Sequence, residues 1–355
     1  MHHVSTITYT QMNALLGVFF HALGGFASGS FYLPFRKVKG WSWESAWIVG
    51  GFASWIIVPL VMGALTVSGM FPSITSASPT VLFWTYFFGV LWGIGGLTFG
   101  LTMRYLGISL GMAVALGFCS AFGTLIPPIW EGRFGELLNT RAGNFALLGV
   151  LVCLIGIAVC GWAGILKEKE LDEAAQKAAV AEFNLRKGLI IATISGILSA
   201  CFAFALSAGR PIAEKAVELG TDPLYQNNAI YPVLLLGGFT TNFIWCMILN
   251  FRNKSFGDYS NAKSPLLNNY LWAALAGTTW YFQFFFYGMG DNYLPLSMRF
   301  SGWTMHMAFI ITFSTLWGLA LHEWKGSSKK TFRVVYLGLF LIVFSTVLIG
   351  MGSQL

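Results

Sequence analysis

Two histidines, His21 and His306, lie deep inside uncharged apolar stretches of this chain, and imidazole is the side chain that changes charge most readily near neutral pH. Short stripes of polar and aromatic residues accompany them. Trp280, Gln283, Tyr287 and Asp291 recur at i, i+3, i+7 and i+11; Arg299, Trp303 and His306 follow one another at four and three residues; His21, Gly25, Ser28 and Tyr32 keep a similar period. On a helix each set shares a face. Aromatic rings stack on C–H faces while amides, phenols and hydroxyls exchange hydrogen bonds with hydroxyls, so these stripes suit a neutral polyhydroxylated ligand, a sugar being the natural choice. Trp92 joins the set through the duplication described below. His306 and His21, with Asp291 and Arg299 at the ends of the same stripes, are the candidates for handling a coupled proton. Phe284, Phe285 and Phe286 read as packing residues, and Trp41, Trp43 and Trp324 as anchors at the membrane–water interface.

Bond-breaking chemistry has little support. Cys119, Cys153, Cys160, Cys201 and Cys246 all fall in apolar runs without CxxC or Cys/His ligand spacing, and neither buried histidine has an acid or cysteine neighbour at such spacing. No metal, no cofactor and no enzymatic activity are expected.

The elements that carry these stripes must be membrane helices. Of 355 residues, 56% are hydrophobic and 10% charged, against roughly 25% charged in a soluble domain, and the mean hydropathy is +0.67. The net charge of +7 is spread over short interruptions between apolar runs, which argues against a nucleic-acid partner and for a topology signal in a lipid bilayer. No Asp, Glu, Lys or Arg occurs within 13–33, 107–130, 144–166, 188–209, 223–249, 268–290 or 334–355. Each run is long enough for one span. The uncharged stretch 45–103 is divided into two by the Ser/Pro-rich segment 68–80, and a tenth helix at 294–319 carries Arg299 near its start. The first run lacks a basic leader and exceeds a signal-peptide core, so it is expected to be retained as a span.

Sixteen Lys and Arg residues fall in one set of alternate loops and five (Arg133, Arg141, Arg210, Lys215, Arg299) in the other. The first set is therefore predicted to be cytoplasmic and both termini extracytoplasmic.

The chain also repeats itself. A shift of 188 residues places Gly89 on Gly277, Trp92 on Trp280, Gly100 on Gly288, Tyr105 on Tyr293, Leu106 on Leu294 and Ser109 on Ser297. A shift of 171 pairs Gly17 with Gly188, Gly25 with Gly196, Ser28 with Ser199 and Phe31 with Phe202; a shift of 189 pairs Gly149 with Gly338 and Gly161 with Gly350. Five spans form the unit, and an odd number of crossings inverts the second copy. The predicted organisation is a first repeat at 1–166, a cytoplasmic linker at 167–187 and a second repeat at 188–355.

The segments FYLPFRKVKGWSWE (31–44), LWGIGGLTFGLTMRYLGISLG (91–111), EFNLRKGL (182–189), DPLY (222–225), WYFQFFFYGMG (280–290) and WTMHMAF (303–309) resemble the L-rhamnose–proton symporter family over nearly the whole chain. The resemblance implies the ten-helix inverted-repeat fold of the drug/metabolite transporter superfamily. It also implies uptake of L-rhamnose or a related sugar with protons, by alternating access, across a bacterial inner membrane. The family pattern has two asparagines after Trp-Gly-Ile-Gly, where this chain carries Gly96 and Thr98, and an acid at the place of Arg299. A passive sugar facilitator or a sodium-coupled carrier of another small metabolite is the competing expectation.

Overall fold

Backbone N–H and C=O groups find no partners in hydrocarbon, so a chain of this composition has to satisfy them within helices. The computed structural model describes residues 2–352 apart from 107, 131, 171–183, 295–298 and 323, and the described residues are helical, with no strand. The expected linker at 167–187 falls outside the described residues over 171–183.

The elements in chain order are α1 (His2–Ser30), α2 (Tyr32–Phe35), α3 (Trp43–Phe52), a π-helical turn (Ala53–Ile57), α4 (Val58–Thr66), α5 (Met70–Thr75), α6 (Pro79–Leu106), α7 (Ile108–Trp130), α8 (Phe134–Asn139) and α9 (Arg141–Lys169). They continue as α10 (Leu185–Ala208), α11 (Arg210–Glu218), α12 (Tyr231–Asn253), α13 (Leu266–Tyr293), α14 (Arg299–Ala320) and α15 (Lys329–Gly352), with 3₁₀ turns at Pro223–Ala229 and Ser255–Tyr259. Among the described residues, seven helical stretches are long and apolar enough to cross a membrane: Leu15–Phe35, Trp43–Thr66, Pro79–Phe99, Arg141–Lys169, Arg186–Glu218, Pro223–Asn253 and Lys329–Ile349. This is an α-helical membrane protein.

Local chemistry explains several boundaries. Thr140 caps α9 by accepting from Gly143 N at 3.1 Å, and Asp222 opens the Pro223–Ala229 turn by accepting from Leu224 N at 2.9 Å. Gly69 adopts φ +65, a left-handed conformation that suits glycine, between α4 and α5. Within the second span, Pro59 has no N–H to give to the carbonyl of Trp55 four residues earlier. The helix responds one step upstream with a π turn, in which Val58 N–H donates to Ala53 O.

The residues cluster into two compact units. The first comprises Met1–Phe26, Gly95–Ala203 and Gly290–Leu355; the second comprises Ala27–Ile94 and Phe204–Met289. Each draws on both halves of the chain.

In the first unit, close helix packing depends on glycine. A Cβ added at Gly25 would meet Phe309 Cβ, and one added at Gly196 would meet Phe118 Cβ. Likewise Gly17 lies beside Leu294 and Gly188 beside Leu106, while Gly149 receives Ile349 and Gly338 receives Cys160. At the end of α9, Glu170 accepts from Ser328 N at 2.7 Å and from Thr331 Oγ1 at 2.6 Å, which ties it to the first turn of α15. Those hydrogen bonds hold its carboxyl below the usual range.

In the second unit, Gly89 on α6 is crossed by the carbonyl of Leu234 on α12, and Gly277 on α13 by the carbonyl of Gly50 on α3. Glu44, 4% exposed at the start of α3, accepts from Ser255 Oγ at 2.7 Å and Asn253 Nδ2 at 3.0 Å. Asp258 accepts from Ser42 N at 2.7 Å and from Ser45 Oγ at 2.8 Å, closing a polar network at that end of the unit.

Candidate functional site

The second unit gathers most of the aromatic stripe. Trp280 on α13 meets Phe31 with ring centroids 4.0 Å apart and Trp47 of α3 at 5.4 Å, both nearly edge to face. Trp55, in the π turn, stands 6.4 Å from Trp280 and also 6.4 Å from Trp92 on α6. The two tryptophans related by the 188-residue shift thus flank a third at equal distance. Trp92 in turn meets Phe284 at 5.5 Å. Gln283 and Tyr287 lie one and two turns farther along α13 and are buried. Ser28 is half-buried on α1, whereas Tyr32 is 55% exposed, and its neighbour Phe31 takes the place against Trp280.

Indole donors in this cluster differ in what they meet. Trp47 Nε1 donates to Asn242 Oδ1 at 3.0 Å. Among the described residues, no group accepts from the buried Nε1 of Trp55 or of Trp280, nor bonds the buried Oγ of Ser54. Phe31, Trp47, Ser54 and Trp55 were not among the candidates drawn from the sequence. Trp47, Gly51 and Trp55 do recur every four residues, but the tryptophan-rich start of that run looks like an interfacial belt.

The ionisable candidates fall in the first unit. His21 on α1 and His306 on α14 are both buried, their rings 6.0 Å apart and steeply inclined, and the His306 imidazole is hydrogen-bonded to the backbone of His21. A Cβ placed on Gly302 would stand 3.2 Å from His21 Nε2 and 3.4 Å from Asp291 Oδ1, so an acid and an imidazole border the same small space. The residue types gathered here, two imidazoles and a carboxyl, are those that exchange protons near neutral pH. Arg299 opens α14, and its side chain lies outside the described residues. Trp303 is buried here as well: Nε1 donates to Cys119 O at 3.1 Å and its ring stacks on Phe202 at 5.6 Å. Beside it Thr304 Oγ1 bonds both Ser120 Oγ at 3.0 Å and Thr124 Oγ1 at 2.6 Å.

Apolar helices that bury an aromatic cluster in one unit and a histidine pair in the other define a multi-pass membrane protein. The chain belongs to the L-rhamnose-proton symport protein family, whose profile matches residues 11–354. A relative from Mannheimia succiniciproducens named L-rhamnose-proton symporter is 41% identical over 345 residues, covering 95% of this chain and 98% of the relative. Relatives of the same name from Escherichia coli strain SMS-3-5 and Citrobacter koseri are 41% and 40% identical over 340 residues, covering 95% of this chain and 97% of each relative. The family is one of symporters, not enzymes.

Proposed function

We propose that this chain imports L-rhamnose, or a closely related monosaccharide, together with protons across the bacterial inner membrane by alternating access. Membership of the symport family over almost its whole length carries this reading. The residues fit it. Trp280, Gln283, Tyr287, Trp92, Tyr32 and Ser28 supply rings, an amide and hydroxyls for sugar recognition, and Trp303, whose N–H is engaged by Cys119, offers a ring face. His306 and His21 carry the coupling proton, with Asp291 and Arg299 setting the local charge. For symport, protonation and sugar binding must favour one another, a reciprocal coupling of typically about 1 to 3 kcal/mol.

The architecture belongs to the same reading: ten spans in two inverted five-helix repeats, 1–166 and 188–355, joined by a cytoplasmic linker at 167–187, with both termini outside. Its support is the way packing repeats. Gly17 with Leu294 and Gly188 with Leu106 are the same contact in two copies, and Gly25 and Gly196, which coincide under the same shift, each pack against a phenylalanine, Phe309 and Phe118.

Proteoliposomes holding the purified protein and an imposed inward proton gradient test the function. L-rhamnose should accumulate above its external concentration, and collapse of the gradient should abolish accumulation. Mere equilibration would make the protein a facilitator, and accumulation driven only by sodium a different symporter. Impermeant cysteine labelling in spheroplasts tests the topology: a reactive linker with unreactive termini would invert it.

A further inference from the structure

Tyr32, Phe35, Trp41, Trp43 and Trp47 line a pocket of about 160 Å³ that lies wholly in the second unit. All five come from one short stretch around the end of the apolar span Leu15–Phe35 and the start of the span Trp43–Thr66. The pocket therefore sits where the chain leaves the apolar layer and re-enters it, which is the level of the lipid headgroups. A cavity needs about 10 to 15 Å³ to hold one water, so this one has room for a polar group of headgroup size.

Its walls and its rim differ in character. Trp47 stacks on Phe35 at 6.0 Å and on Trp43 at 5.1 Å, and Trp41 stands edge to face with Tyr270 at 4.9 Å. Tyr32 and Trp43 are 55% and 49% exposed, so the pocket opens outward. Trp41 keeps a buried Nε1–H for which no described residue supplies an acceptor. Between Tyr32 and Trp43 the sequence carries three cations, Arg36, Lys37 and Lys39, and no acid; all three are exposed. The backbone that bears them is pinned, since Lys39 N–H donates to Asn269 Oδ1 at 3.0 Å and Asn269 Nδ2 returns a bond to Lys39 O at 2.8 Å. The carboxyls that this segment meets are already engaged by neutral donors: Glu44 by Ser255 and Asn253, Asp258 by Ser42 and Ser45. An aromatic pocket at headgroup level, rimmed by cations alone, is complementary to an amphiphile with a negative head.

We propose that this pocket is a headgroup site for an anionic phospholipid, with the phosphate at Arg36, Lys37 and Lys39, the glycerol against the rings and a lipid oxygen accepting from Trp41 Nε1. A neutral sugar would make no use of the three cations. The inference stands apart from the sugar-import reading, and either can fail without the other.

Native mass spectrometry of the purified full-length protein, in micelles doped with dioleoyl phosphatidylglycerol or with dioleoyl phosphatidylcholine, tests the site. The unmodified chain should retain phosphatidylglycerol in preference to phosphatidylcholine. The variant R36Q/K37Q/K39Q should bind phosphatidylglycerol about fivefold more weakly for each charge removed. Trp41→Phe, which keeps a ring and loses the donor, should bind it about threefold to tenfold more weakly. The matched variant K329Q/K330Q/R333Q, stripped of three cations at the start of α15, should retain it as the unmodified chain does. Should Trp41→Phe fail to fold, the two charge variants decide the matter, because they alter exposed side chains of the second unit or none of it. Equal losses in the two triple variants would reduce the effect to diffuse surface charge and overturn the site, as would indifference to the lipid's charge. Displacement of phosphatidylglycerol by inorganic phosphate would make the site one for free anions, and displacement by L-rhamnose would give the pocket to the sugar; either result also overturns the inference.

Discussion

Trp303 and Trp280 are both tryptophans on helices of one chain, and their indole nitrogens meet opposite circumstances. In the first unit Trp303 N–H is taken by the Cys119 carbonyl, and the hydroxyls around it are taken by one another through Thr304. In the second unit Trp280 and Trp55 hold buried N–H groups that nothing described in the protein accepts. Residue type alone does not make a binding residue. What matters is whether the fold has already spent its hydrogen bond. Around Trp303 the polar groups are matched within the protein, whereas around Trp280 and Trp55 buried donors are not.

The strongest way to break this comparison is through the histidines. His306→Gln keeps a hydrogen-bonding side chain that cannot ionise in this range. It should abolish uptake driven by a pH gradient while leaving exchange of sugar down equal gradients largely intact, and His21→Gln should behave similarly but more mildly. If the double variant still concentrates L-rhamnose under a proton gradient alone, the two histidines do not carry the coupling proton.

Glycine substitutions come next, read as thermal stability in detergent. Gly277→Ala forces a methyl onto the Gly50 carbonyl, backbone against backbone, and should cost about 1 to 3 kcal/mol. Gly96→Ala, where nothing stands within 4 Å, should leave the melting temperature alone. Equal effects at the two positions would mean that the second unit is packed less tightly than its carbonyl–glycine crossing requires.

A paired substitution sharpens the contrast between the tryptophans themselves. Trp303→Phe loses the bond to Cys119 and should cost roughly 0.5 to 1.5 kcal/mol of stability while sparing sugar affinity, since the ring face remains. Trp280→Phe should do the reverse, weakening sugar binding without lowering the melting temperature. Reversal of either result would erase the distinction between the units.

Glu170→Ala is the gentlest test. The carboxyl is exposed, and its hydrogen bonds to Ser328 and Thr331 depress its pKa, so its contribution is present above the ordinary carboxylate range and fades as pH falls through the lowered value. The variant should melt slightly below the unmodified protein at neutral pH and together with it in acid. A gap that persists in acid would assign the loss to helix capping by the side chain's other contacts rather than to its charge.

Much of this was legible in the sequence for physical reasons. Uninterrupted apolar runs become helices because hydrocarbon allows little else, and several glycines that coincide under the repeat shifts, such as Gly89 with Gly277 and Gly25 with Gly196, are ones that neighbouring helices approach closely. The finer placement was not legible. A π turn adds a residue to one turn and swings the following side chains by about 100°, which a constant helical period cannot anticipate; only Pro59 hinted at it. Phe31, rather than Tyr32, faces Trp280 at the junction where α1 gives way to α2, and Cys119 reaches Trp303 from 184 residues away. Long-range partners of that kind leave no periodic trace.

The packing of α9 on α15 has a further implication. Gly149 receives Ile349, Gly338 receives Cys160, and a 189-residue shift carries Gly149 onto Gly338 and Cys160 onto Ile349, so exchanging the two halves maps this contact onto itself. That is the grammar of an isologous dimer interface, in which residue i touches j and j touches i across a twofold axis. On the inverted-repeat architecture proposed above, one polypeptide does what two identical subunits would do. Its covalent continuity frees each half to diverge, so that one glycine can come to meet a thiol where its counterpart meets an isoleucine, a latitude that strict symmetry denies to a homodimer.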